Sequence, residues 1–168
     1  MRPIAVLFFC FLSSPAVAQE ECQVPAQLRA AIDHRWHGWK VLHIADLTPE
    51  NQNLWTYARG RVCPGIAQGH FFDAATGAYA ISLVSGHSQV LITARVLAGH
   101  WQLSTLLPPH RARTYAVLWA AHPGAFEDAV TGRKIQTDLN GIGFEVLEGT
   151  VIVFLHRNGS FMKVQTTH

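Results

Sequence analysis

From Tyr79 onward the chain breaks into apolar runs of strand length, and this constrains its fold more than any other feature. The runs are Tyr79–Val84, Val90–Leu97, Trp101–Leu107, Tyr115–Ala120, Ile142–Leu147, Val151–His156 and Phe161–Gln165. Between them lie "SGHS", "AGH", "PPHRAR", "HPG", "LNG" and "RNGS", where glycine, proline and asparagine favour turns over continued helix or strand. "VIVFLHRNGSFMKVQTT" is the plainest hairpin, because Asn158-Gly159 tolerates the positive φ that a two-residue connection demands. Short runs joined by brief connections predict antiparallel strands that meander.

Helical signals come earlier. In "VPAQLRAAIDHRWHGW" Pro25 suits a first helical position, and Leu28, Ile32 and Trp36 recur every four residues. Gly38 can end the segment, so a helix is expected over Pro25–His37. "WKVLHIADL" alternates as a strand does. In "TPENQNLWTYARG" Thr48 is placed as N-cap, Pro49 at the first helical position and Gly60 as terminator of a second, shorter helix. Helices first and strands afterwards predict an α+β domain, with N-terminal helices packed on a mostly antiparallel meandering β-sheet.

The N-terminus reads "MRPIAVLFFCFLSSPAVAQEEC". Arg2, the apolar run Ile4–Leu12 and the A-x-A signal Ala16-Val17-Ala18 predict a secretory signal peptide over residues 1–18, leaving 19–168 as one domain. The run is too short to span a bilayer as a helix, and no later run is long enough. No stable membrane span is therefore expected after cleavage, and the location is read as periplasmic or secreted. Cys10 falls in the peptide. In an exported protein the remaining Cys22 and Cys63 pair by default, two free thiols being the alternative. A bridge closing roughly forty residues is worth about 4 kcal/mol in the chain-entropy picture. Without Arg2, twelve Lys and Arg nearly balance eleven Asp and Glu. No basic run is present, so a nucleic-acid partner is not expected.

The segment "CPGIAQGHFFDAATGAYAISL" resembles the FG-GAP or VCBS type of calcium-binding repeat, in a degenerate form found in exported bacterial proteins of unknown function. Cys63-Pro64-Gly65, Gly69, Phe71 and Tyr79-Ala80 carry the likeness, and "GIGFEVLEGTVIVFLHRNGSFMKVQTTH" resembles the closing segment of those proteins. The resemblance implies a fold and an exported location rather than an activity. Calcium needs six to eight oxygen ligands, yet the ligand positions of such a repeat fall here on His70, Phe72, Ala74 and Ala78, leaving Asp73 out of register. Calcium is not expected. Phe71, Tyr79, Ile81 and Leu83 read instead as one face of a core hairpin.

Ten histidines are the compositional oddity. His34 and His37 could share a helical face and begin a zinc or copper site, but a zinc site needs three or four ligands and no H-E-x-x-H or paired-cysteine spacing supplies them. The alternative is that they are surface histidines, and no cofactor is expected. No G-x-S-x-G elbow is present, and adjacent Glu127 and Asp128 read as solvated acids. His110, Arg111 and Arg113 in "PPHRART" form an exposed basic loop, held by two prolines, that could serve in recognition; a solvated connection is the plain alternative. Tyr57 or Tyr115 could join a partner surface, because tyrosine and arginine carry much of the energy of interfaces. These features point to an exported, non-catalytic binding protein with a protein partner, of inhibitor or immunity type. A histidine-dependent metal-binding protein or metal-assisted hydrolase is the alternative.

Overall fold

A computed structural model describes residues 22–166; the signal peptide expected over residues 1–18 lies outside them. In chain order the elements are α1 (Ala26–Arg35), β1 (Lys40–Val41), a 3-10 turn (Ile44–Asp46), α2 (Pro49–Arg59), β2 (Ile66–Gly69), β3 (Ala78–Ser85) and β4 (Ser88–Leu97). They continue with β5 (His100–Arg111), β6 (Val117–Ala121), β7 (Gly124–Glu127), β8 (Lys134–Thr137), β9 (Gly141–Glu145), β10 (Val151–Arg157) and β11 (Ser160–Thr166). Among the described residues, no helix is long and apolar enough to cross a membrane.

Two antiparallel sheets carry the fold. The first runs β1-β3-β4-β5, with β2 lying along the same edge of β3 as β1; the second runs β11-β10-β9-β6. They are stitched together beside β2, where the Leu118 N–H donates to the Pro64 carbonyl (2.7 Å) and the Asn140 N–H to the His70 carbonyl (3.1 Å). Between the sheets, Phe71, Ala80 and Leu91 pack against Leu118, Ile142 and Phe154. On the outer face of the first sheet, Leu28, Ile32 and Trp36 cover Ile81, Leu83 and Ile92. The small β7–β8 hairpin brings Ile135 onto Val153, Leu155 and Val164 on the outer face of the second.

The α+β expectation, N-terminal helices on a meandering sheet, is overturned. Strands account for 47% of the described residues and helical conformations for 17%, with two α-helices, so the fold is β-rich. The physical reason lies in β3 and β4, which are buried on both faces along most of their length. A ten-residue helix such as α1 is only about 15 Å long and covers one face of one sheet. The other face needs a second sheet.

Local signals hold more closely. The Thr48 side chain accepts from the Asn51 N–H (3.4 Å), Pro49 opens α2, and Gly60 ends it at φ 70°. The β10–β11 hairpin turns at Asn158 and Gly159, with φ 51° and 79°. The first helix stops at Arg35, two residues short of the expected end, and only Lys40–Val41 of the expected strand around "WKVLHIADL" pairs. Phe71 sits in the core between the sheets with Ala78 and Ala80, whereas Tyr79, Ile81 and Leu83 face α1, so those four residues do not share a face.

The disulfide Cys22–Cys63 is formed, with Cα atoms 5.0 Å apart. It ties the segment entering α1 to the segment entering β2.

Candidate functional site

The expected basic loop is largely strand. Pro108, Pro109, His110 and Arg111 are the last four residues of β5, and all four are exposed. Opposite them, His110 pairs with Gln89 and Arg111 with Ser88, and the register shifts between Gln89 and Leu91 and again between Leu91 and Ile92. Each shift is a bulge, which bends β5 and re-aims the side chains beyond it. The two prolines sit at the first shift. With no N–H to donate, they are tolerated there and on an edge strand, and they blunt that edge against pairing with another chain.

Beyond the bulges the backbone is pinned. The Ala112 N–H donates to the His87 carbonyl (2.8 Å), and the Tyr115 hydroxyl donates to the Gly86 carbonyl. Gln89, fully buried, reaches the same segment from below. Its amide donates to the Ala116 carbonyl and the Ser82 hydroxyl (both 2.7 Å), and its oxygen accepts from the Ala116 N–H (3.0 Å). His110 lies over the second sheet, its ring centroid 6.4 Å from that of Phe144 and edge-on to it. Its Nδ1 is 3.1 Å from the Pro108 carbonyl and donates there when that nitrogen carries the proton.

The result is a corner whose main chain is fixed while its charges project. His87, His110, Arg111 and Arg113 are all exposed. Among the described residues, neither arginine has a carboxylate partner. The sequence shows His110, Arg111 and Arg113 as a basic loop, whereas His87 reads there only as part of the turn "SGHS" and Gln89 draws no expectation. The signal for Gln89 was present: an amide inside the apolar run "QVLITARVL" must find partners if both faces of its strand are covered.

The other candidates fall elsewhere. His34 is the penultimate residue of α1 and His37 lies past its end; both are exposed, with ring centroids 6.3 Å apart. Their neighbour Asp33 is engaged by Arg29 at 3.0 Å. Among the described residues, no three or more His, Cys, Asp or Glu are grouped so as to hold a metal ion. Asp73, the acid of the calcium-like stretch, caps its own turn by accepting from the N–H groups of Thr76 (2.6 Å) and Ala75 (2.9 Å). The Thr76 N–H is the main reason its carboxyl lies below the ordinary 3.8; desolvation opposes it, and the Ala75 N–H, the Thr76 side chain and the charge of Arg95 add to the lowering. Tyr57 stands 95% exposed on α2, beside an open groove of about 640 Å³ that also touches Ile44, Gln52 and Arg61.

Compared with known protein families, with curated proteins and with solved structures, the chain matches none.

Proposed function

We propose that the protein is an exported, periplasmic binding protein that acts without catalysis, pressing the basic corner at His110, Arg111 and Arg113 into an acidic cleft of another protein. The mode is that of an inhibitor or immunity protein, which works by occlusion. Export is supported by the charged start, apolar run and A-x-A signal of the N-terminus, and by the Cys22–Cys63 bridge, since disulfides persist in oxidising compartments.

The observation that carries the reading is the pairing of a locked main chain with two arginines, Arg111 and Arg113, that have no carboxylate partner among the described residues. Ordering a flexible loop on binding would consume much of the interaction energy; here the segment is already held by Gln89, His87 and Gly86. Arginine is enriched among the residues that dominate interface energies. Because the chain as a whole is near neutral, the local positive field is a feature of this corner rather than of the whole surface.

The test begins with capture from periplasmic extract on immobilised protein, wild type against Arg111→Glu/Arg113→Glu, followed by calorimetry with the purified partner. The reading expects one dominant partner, binding that weakens as salt rises, and a loss of tenfold or more in affinity in the charge-reversed variant. A partner that binds both proteins equally, or none across a range of salt, refutes it.

A further inference from the structure

We infer that the groove between the end of α2 and the outer face of the second sheet binds a small monoanionic carboxylate with an apolar body, the chemistry of an apolar residue's α-carboxyl group. This groove is separate from the basic corner and does not depend on it.

The site is built around Trp119. In β6 this residue pairs with Gly143 of β9, and its indole lies flat on the glycine: a Cβ at position 143 would come within 2.3 Å of Trp119 Cε2. At its edge the indole Nε1 donates to Glu145 Oε2 (3.1 Å). Over its other face lies Arg59, the last residue of α2, with its guanidinium carbon 4.9 Å from the ring centroid. The ring is therefore held from below, from the side and from above.

Stacking uses the face of a guanidinium and leaves its in-plane N–H donors available. Those of Arg59 have no acceptor among the described residues, and the residue is exposed. They border a groove of about 360 Å³ whose remaining wall includes Trp55, Leu147 and Val151. That volume is at the lower end for small-molecule sites and suits a ligand of amino-acid size. A forked donor beside an apolar wall matches a carboxylate with an aliphatic tail, because two parallel N–H donors meet two carboxylate oxygens. Inorganic phosphate has no apolar body to lie against Trp55, Leu147 and Val151, so it is disfavoured where a carboxylate with an aliphatic tail is accepted.

The experiment follows the ¹⁵N-indole resonance of Trp119, assigned with Trp119→Phe, in the intact disulfide-bonded protein. The probes are N-acetyl-leucine, its amide, free leucine, a blocked tripeptide ending in leucine, and inorganic phosphate. A saturable shift with N-acetyl-leucine and none with the amide is the expected result. Relative affinities of leucine and the tripeptide then tell a free amino acid from a peptide C-terminus. Arg59→Gln should raise Kd about tenfold or more, the effect of removing a charge-assisted bond, with the melting temperature retained. Arg59→Lys, which keeps the charge but loses the fork, should fall between. No saturable shift with any carboxylate, an equal shift with the amide, tighter binding of phosphate, or a Kd unchanged in Arg59→Gln would each overturn the inference.

Discussion

Replacing Gln89 by leucine tests both the fold and the rigidity of the basic corner. The side chain is fully buried in β4, and its amide gives the Ala116 main chain both an acceptor and a donor, much as a further strand would. Leucine is close in size, so the change opens little cavity. It strips the buried Ser82 hydroxyl of its donor, and on Ala116, itself buried, it leaves an unpaired N–H and an unpaired C=O. Each costs about 1–3 kcal/mol when stripped of its partner in a dry site, so the pair amounts to roughly 4 kcal/mol. For a chain of this size that lowers the melting temperature by about 8–16 °C. Urea titration followed by tryptophan fluorescence should show an earlier midpoint with an unchanged slope. Gln89→Glu should be worse at neutral pH, since it keeps the acceptor for the Ala116 N–H but buries a charge facing the Ala116 carbonyl; acid should recover part of the loss as the carboxyl protonates. In the leucine variant, hydrogen exchange at Ala112–Ala116 should quicken and binding of the captured partner should weaken beyond what the midpoint shift explains. A loss of less than about 1 kcal/mol, with exchange at Ala116 unchanged, would refute the reasoning.

Three further outcomes follow from single contacts. Gly143→Ala forces the Trp119 indole off β9, for a loss of about 1–3 kcal/mol visible in thermal melts and as a changed near-ultraviolet signal; unchanged melts would mean that the ring is not seated there. Asp73 has a depressed carboxyl pKa, so its contribution to stability is present above the ordinary 3.8 and is lost as pH falls from there through the lower folded value. The melting difference between wild type and Asp73→Ala should accordingly close in strong acid, and a gap that persists or widens there contradicts the capping role. Reduction of Cys22–Cys63, or the double serine variant, should cost about 4 kcal/mol for a closed loop of this length, read as an earlier urea midpoint.

What could be read in advance, and what could not, follows from how far each signal reaches along the chain. Caps and tight turns are local chemistry, and Thr48-Pro49, Gly60 and Asn158-Gly159 sit where their side chains and φ preferences place them. The second sheet is a non-local fact. "AYAISLV" and "VLITARV" are apolar without alternation, the mark of strands covered on both faces, and two short helices cannot cover both. Weighing that run length against helix area would have led to a sandwich. The strands β2, β7 and β8 escaped because four residues such as "IAQG", "GAFE" or "KIQT" carry too short a pattern to stand out. In the sequence the end of β5 reads as a loop because two prolines usually break a strand; on an edge, at a bulge, they do not. The Arg59 groove escaped for a different reason. Its parts come from α2, β6, β9, β10 and β11, and nothing in their spacing brings them together.

The same prolines link the fold's solution to its own hazard with the proposed activity. A twelve-residue edge strand such as β5 offers its free side to any other chain, and a protein that left it flat would pair with copies of itself. Pro108 and Pro109 leave this stretch of β5 without two N–H donors, and the bulges bend it. Farther back, Arg35 of α1 donates to the Leu103 carbonyl (3.1 Å), covering part of the rest. Once pairing is blocked, contact at the end of β5 has to pass through side chains, and those beyond the bend are His110, Arg111 and, two residues on, Arg113. A surface made this way discriminates by charge and shape rather than by backbone hydrogen bonds. Removing the prolines should therefore change what the protein binds as well as how it folds: Pro108→Thr/Pro109→Thr restores two N–H groups to β5 and relaxes the block on pairing, and self-association in sedimentation should rise while affinity for an acidic partner falls. A double variant that stays monomeric and binds as before would show that the prolines shape neither property.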